Sequence, residues 1–336
     1  MGKKELTVTF ETVTPLWTGD INGECTELKP ASIFGSLRFW FEVYCYFAGI
    51  EVKENESLDY KTFEKIRNKT FEKYKYKDKE ISDIEEYIIK NLPLTTTSKI
   101  FGCTGWKSRI EIKKVIKIDE YEYIYPLGKI SLEKLEYNKQ NKTIIPSWYF
   151  KKGFFGKFRI TFNVLNEVGE NILLPLLKFI ERYGFIGAKN NIGYGRVKII
   201  EPTIENNEID LNCIGVNNKI TNSIFQEKDL PDELNRLNYK AIEVFNIKKC
   251  NNLNDFIKNL LSKKVKLRRF ESNKFIRHYK FGSIAKDIYK NKRYNLEIKG
   301  PNATKIIPLI SFDESNNTYN CQFLSVWGIQ NIGAKK

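Results

Sequence analysis

Alternation is the first signal in the chain. In residues 5–14, ELTVTFETVT, Leu6, Val8 and Phe10 fall on one side and Thr7, Thr9 and Glu11 on the other, the period-two pattern of a half-buried strand. The pattern returns at 108–118, at 157–165 (KFRITFNVL) and at 195–202 (GRVKIIEP), which predicts three more strands. Residues 31–48, ASIFGSLRFWFEVYCYFA, are apolar around most of a helical circumference and predict a mostly buried helix with Ser32 as its N-cap. Residues 171–183 put Ile172, Leu173, Leu176, Leu177, Ile180 and Tyr183 on one helical stripe, with Pro175 in the first turn where it costs little. Residues 51–97 change character: they are charged, rich in Tyr and Lys, and patterned as helix, so they read as a helical insertion. Residues 120–150 show no readable period.

Strand, helix, strand, strand, helix, strand is the β-α-β-β-α-β order of a ferredoxin-like domain. The Asn-rich stretch EPTIENNEIDLN marks a boundary near residue 205. Beyond it the pattern predicts a strand at 241–247, a helix at 252–264, a basic segment, and strands around IIPLISF and YNCQFLSVW. The expected class is therefore α+β. A first ferredoxin-like domain over 1–204 carries the insertion, and a second, degenerate one occupies 205–336.

Composition narrows the function. A chain of 336 residues has room for two domains with real cores, and 41% hydrophobic with 14% aromatic residues excludes a disordered polymer. No run approaches the ~18 consecutive apolar residues of a membrane span, so no membrane is expected as a partner. The opening MGKKELTVTFE has no apolar signal core, so a cytoplasmic location is expected. Six scattered cysteines without a CxxC pair, beside a single histidine, argue against a zinc site and a disulfide framework. No cofactor and no metal are expected.

The net charge is +15, and its distribution tells more than its size. Residues 261–305 carry 14 Lys/Arg against three acids, a net of +11. Compositional drift would spread the excess; concentration is the footprint of a polyanion partner. A solvated lysine-rich surface is the plain alternative.

The candidate chemistry begins with GFIGAKNNIGYGRVKI, residues 184–199. Neither GxxxxGK[ST] nor GxGxxG is present, and the stretch follows a helix, so a mononucleotide or dinucleotide site is not expected. Glycine N–H groups can approach phosphate oxygens closely, and Lys189 and Arg196 add charge. The same composition also suits a turn that merely enters a strand.

Three further segments join this one: TPLWTG (14–19), ELKPASIFGSLRFWFE (27–42) and IFGCTGWKSRI (100–110). Together the four resemble the RAMP superfamily of CRISPR proteins, in order and at sensible spacing. Within it the closest likeness is to the first subunits of type III-B (Cmr) RNA-guided effector complexes. The resemblance covers residues 5–200. Beyond 205, Arg277, Gly282 and KRYNLEI (292–298) echo the family's later region loosely, with Asn295 and Leu296 where the family has Ser-Pro.

The resemblance implies two ferredoxin-like domains in a ribonucleoprotein, near the 3′ part of the crRNA, helping to capture target RNA without cleaving it. The implied partners are crRNA, single-stranded target RNA and other RAMP subunits. The implied RNA-binding residues are Lys29, Ser32, Gly35 and Arg38; Lys107, Ser108 and Arg109; and Gly187, Lys189, Asn190, Asn191, Gly193, Gly195 and Arg196. The basic segment adds Arg268, Arg269, Arg277, His278, Lys280 and Arg293.

An open sheet with cationic and aromatic side chains can track a single strand and stack its bases. Trp17, Trp106, Tyr194 and Tyr279 are the candidate stackers, and each also suits core packing. Arg38 equally suits an internal ion pair to Glu42, four residues on. Two rival readings stand. One is a metal-independent guide-processing endoribonuclease using His278, which lies beside Arg277, Tyr279 and Lys280. The other is a purely architectural subunit.

Overall fold

The structure, a computed structural model, describes residues 3–47, 50–53, 55–75, 81–118, 129–131, 135–137, 142–144, 147–165, 168–204, 207–208, 253–282, 289–291, 296–298 and 306–325. Strand β1 (Lys3–Thr12) leads to α1 (Pro30–Phe47), then to three helices, α2 (Tyr60–Tyr74), α3 (Ile81–Asn91) and α4 (Thr96–Phe101), and to β2 (Ile110–Lys117). Two short nested ladders follow: β3 (Lys129–Ser131) pairs with β6 (Ser147–Tyr149), and β4 (Leu135–Tyr137) with β5 (Lys142–Ile144). Then come β7 (Lys157–Leu165), a π-turn (Gly169–Leu173), α5 (Leu174–Tyr183), β8 (Val197–Ile204) and β9 (Asn207–Glu208).

The large sheet has the order β2-β7-β1-β8-β9, and every neighbouring pair is antiparallel. The third long strand is thus inserted between the first and second, the split arrangement of a ferredoxin-like sheet. Alternation decides which face is covered. Leu6, Val8 and Phe10 pair with Phe162, Ile160 and Phe158, and all six side chains are at most 1% exposed. Each such burial is worth about 1.5–3 kcal/mol. Against this face lie α1 and α5: Trp40 packs on Phe179 and Phe185 and donates its indole N–H to the Phe185 carbonyl at 2.9 Å.

The opposite face departs from expectation. At its centre stand Thr7, Thr9, Arg159, Thr161 and Asn163, and the only aromatic side chains of the sheet's described strands, Phe10, Phe158 and Phe162, are in the core. The open face therefore offers no base-stacking platform.

Two helix starts also differ from the sequence reading. Helix α1 begins at Pro30, so Ser32 sits within its first turn and is not the N-cap; proline at the first position is pre-set for helix. The second helix begins earlier than expected, as a π-turn in which the Leu174 N–H reaches the Gly169 carbonyl. The wider turn leads into Pro175, which can donate nothing to an α-helical ladder. The helical insertion is present; Asp59 caps α2 by accepting the Thr62 N–H at 2.9 Å.

Beyond residue 208 the described elements are α6 (Leu253–Phe270), α7 (Lys274–Phe281), the hairpin of β10 (Tyr289–Asn291) and β11 (Leu296–Ile298), and the hairpin of β12 (Ile306–Asp313) and β13 (Thr318–Ser325). This is α+β structure; the strand expected at 241–247 lies outside the described residues. Phe256, Ile257, Leu260 and Leu261 of α6 pack with Ile310 and Cys321 of the second hairpin, and Ile192 and Tyr194 join the same core. No described helix is long and apolar enough to cross a membrane. Cys25, Cys45, Cys103 and Cys321 are not joined in disulfides.

Candidate functional site

The four motif blocks, remote in sequence, converge around α1. The first block is stapled to the glycine-rich loop by backbone bonds: Ala188 N–H to the Trp17 carbonyl at 2.9 Å, Gly195 N–H to the Pro15 carbonyl at 2.8 Å, and Thr14 N–H to the Arg196 carbonyl at 3.3 Å. Ser36 of α1 accepts the Gly187 N–H at 2.9 Å and donates to the Ser32 carbonyl at 3.0 Å. Arg38 of α1 reaches the third block, donating Nη1 to the Gly102 carbonyl at 2.7 Å.

The glycine loop is built for protein contact, which corrects the expectation that its small residues leave room for a sugar-phosphate strand. A Cβ on Gly187 would stand 2.5 Å from the Trp17 carbonyl oxygen, and one on Gly193 would stand 2.7 Å from the Ile310 side chain. A Cβ on Gly195 would land on the Ile186 carbonyl oxygen. All three have left-handed backbones, with φ of 81°, 95° and 86°, where side chains strain. The loop's apolar residues, Ile192 and Tyr194, are knobs in the core shared with α6 and β12.

Arg196 is the second correction. It is 5% exposed. Its Nη1 donates to the carbonyls of Ile180 (3.1 Å) and Gly184 (2.5 Å), and its Nη2 to Glu181 (2.7 Å). The guanidinium thereby caps the C-terminal end of α5, where carbonyls lack helical partners and positive charge is favoured. Its Nε donates to Ile310, on the far hairpin. Burial lowers its pKa to about 10, against the opposing pull of Glu181. Four of its five N–H groups are thus spent on the protein's own carbonyls, in a side chain that is almost wholly covered.

Other predicted residues are also engaged internally. The single proton of the Ser108 hydroxyl is shared between the Ile100 and Ile110 carbonyls, at 3.0 and 2.6 Å, and the hydroxyl oxygen accepts the Ile110 N–H. Arg109 pairs with Glu85 of α3 at 2.9 Å and lies 4.0 Å over the Trp106 ring, tying the insertion to this loop; burial lowers its pKa. Arg38 forms the ion pair to Glu42 at 3.1 Å yet keeps about a third of its side chain exposed, at 32%. Trp106 and Tyr194 are buried, their polar atoms donating to the Lys99 and Lys151 carbonyls. They pack and do not stack.

What stays accessible forms a surface on the N-terminal half of α1. Ala31 and Gly35 are exposed, Phe39 is 42% exposed, and Ser32 and Arg38 are half-buried beside them. Gly35 stands apart from the other motif glycines, because a Cβ there would meet none of the described residues within 4 Å. A glycine inside a helix costs about 0.5–1 kcal/mol relative to alanine, and no contact among the described residues requires this one. Lys189, two residues beyond Gly187, brings its ammonium 4.4 Å from the centre of the partly covered Trp17 ring. Partial burial and the nearby Lys151 lower its pKa. Half-buried Lys29 precedes the helix, and exposed Lys107, paired with Glu111, belongs to the block that Arg38 of the helix reaches at Gly102. Asn190 and Asn191 form the outer turn of the loop.

Sequence reasoning missed Ser36, which fastens the loop to α1, and Ile192, whose place as a lone apolar residue among polar neighbours was the available signal. It also missed Lys264, whose Nζ donates to the Asn191 carbonyl at 2.6 Å.

In the basic segment, Arg268 and Arg277 donate to the carbonyls of Phe281 and Glu271, each at 3.4 Å, and Arg269 is exposed. His278 is half-buried among Arg268, Arg277 and Lys274; burial first, and then those cations, push its pKa down. The side chains of Tyr279 and Lys280, and all of Arg293, lie outside the described residues. Among the described residues no group of three or more His, Cys, Asp and Glu side chains could hold a metal ion.

Compared with known proteins, the sequence matches the RAMP superfamily over residues 9–198. No curated protein matches it. Among solved structures, the chain is similar to one in the type III-B Cmr-beta complex bound to cognate target RNA and AMPPnP in the presence of ssDNA. That match has 12% identity and a TM-score of 0.48, covering 96% of this chain and 94% of the other. It is also similar to Cmr1 from Pyrococcus furiosus in its apo form, at 13% identity and a TM-score of 0.41, covering 96% and 88%. A chain of a type IV-B CRISPR complex shares 15% identity at a TM-score of 0.33, covering 59% and 90%.

Proposed function

Because the chain belongs to the RAMP superfamily, we propose that it is an RNA-binding subunit of a type III-B CRISPR effector complex. In this reading it acts in the cytoplasm as two RAMP modules, 1–204 and 205–336, beside neighbouring RAMP subunits. It contacts the 3′ part of the crRNA or the incoming target strand and cleaves neither.

One observation carries the reading: the exposed Gly35, a helix-interior glycine that no contact among the described residues requires. The conformational cost of such a glycine is offset when something outside the chain approaches the helix closely. The rim supplies what a sugar-phosphate backbone requires, namely cations at Lys29, Lys107 and Lys189, the partly exposed Arg38, and aromatic surface at Phe39 and Trp17.

The test is Gly35→Leu. Leucine is a strong helix former with open space ahead of it, so the melting temperature should hold or rise. Fluorescence anisotropy with labelled single-stranded RNA should show affinity falling at least about tenfold, since the side chain fills the approach. Unchanged affinity in the folded variant refutes this location of the site.

A further inference from the structure

We propose that the outer face of α6 is a second contact for single-stranded RNA, separate from the α1 surface. It rests on the RNA-binding reading for the identity of its ligand, and on its own observations for its place. The inner face of α6 is spent: Phe256, Ile257, Leu260 and Leu261 are each at most 1% exposed. At 100° per residue, Lys258, Lys263, Lys266, Arg269 and Phe270 fall together on the opposite arc, and all five are exposed. They span about 18 Å along the axis at 1.5 Å per residue. The one acid on that arc is Asp255. Among the described residues Lys258, Lys263 and Lys266 form no ion pair.

Phe270 separates this face from an ordinary solvated one. It is 85% exposed, at the C-terminal end of the stripe, next to Arg269. A row of cations ending in an accessible aromatic ring is the pairing that grips a phosphate chain and stacks a base. A lipid surface would find only this single outward ring, because the rest of the apolar face is in the core. The helix is also fixed in place. Lys264, on its covered side, holds the Asn191 carbonyl of the loop that carries Lys189.

The experiment uses the full chain and labelled oligouridine of about 8 and about 30 nucleotides, bracketing the site size of a single small domain. The compared proteins are wild type, Gly35→Leu, Phe270→Ala, and the combined Lys258→Ala, Lys263→Ala, Lys266→Ala and Arg269→Ala variant. These positions are exposed, so thermal unfolding should stay near wild type. Phe270→Ala should weaken the long oligomer about 5- to 100-fold. The four-cation variant should flatten the salt dependence by about 0.7 per lost phosphate contact, or about 2–3 in total. If both leave the two lengths unaffected while Gly35→Leu weakens binding, the inference falls and the α1 reading stands. If wild type binds neither length, the RNA reading itself fails. Should the four-cation variant keep RNA but lose adhesion to phosphatidylserine vesicles or to polyglutamate, the face serves a membrane or an acidic protein, and the proposal is overturned.

Discussion

Arg196 holds Ile310: the guanidinium Nε donates to the Ile310 carbonyl at 2.8 Å, so one buried side chain joins the end of α5 to the hairpin β12–β13. Replacing it removes a donor from four carbonyls, of which Ile180 still accepts the Gly184 N–H; a buried carbonyl left unsatisfied costs about 1–3 kcal/mol. Arg196→Ala should therefore destabilise the protein by about 3 kcal/mol or more. Lysine, with no planar fork, should recover only part of that. Urea unfolding measures both variants. A loss of RNA affinity in the fully folded variant, with stability unchanged, would return Arg196 to the binding surface.

Glycines in the same motifs should behave oppositely. Gly195→Ala places a side chain at φ 86° and against the Ile186 carbonyl, so it should cost about 2 kcal/mol or more. Gly35→Ala should stabilise by about 0.5–1 kcal/mol, because it removes helix-interior flexibility and meets nothing. Thermal unfolding of the pair reads the sign directly. Equal effects would mean that Gly35, too, is held by internal packing.

Lys189 is the accessible cation of the glycine loop. Lys189→Ala should reduce the slope of log affinity against log salt by about 0.7 and weaken all RNA sequences alike. Stability should drop by no more than about 1 kcal/mol, the worth of an ammonium over an indole at a partly exposed site. A salt titration of the folded variant with an unaltered slope removes Lys189 from the contact.

Lys264 makes stability depend on pH. Burial, and then the nearby Arg268, lowers its pKa from 10.5 to about 7, against a smaller opposing pull from Cys321 of β13. Between pH 7 and 10.5 the unfolded chain binds the extra proton, so stability should rise with pH across that window. Below about pH 7 both states are protonated and this dependence ends. Lys264→Met should flatten the rise. Denaturant midpoints at pH 7, 8 and 9 that track together in wild type and variant would exclude the effect.

Much of the architecture was legible in the chain because local periodicity survives folding. The four long strands, the helix at 171–183, the helical insertion and the two late strands all follow from the period of the chain, while the pairing of the last two into a hairpin was seen only in the fold. So did the Arg38–Glu42 pair, which needs only helical spacing. Ser32 was misread because a serine before an apolar run signals a cap, while Pro30 started the helix two residues sooner. The glycine loop was misread for a deeper reason. Glycines that admit a ligand and glycines that admit the protein's own carbonyls look identical in a sequence.

Composition, alternation and motif order therefore determined the α+β class, the sheet's elements and the membership in a superfamily. They did so because these properties reside in short stretches of chain. Tertiary structure alone decided that Arg196 is a buried cap, that Gly187, Gly193 and Gly195 face protein, and that Gly35 faces open space. Each of these is settled by atoms that lie elsewhere in the chain, at Ile310, Trp17 and Ile186, or by the open space that the described residues leave around Gly35.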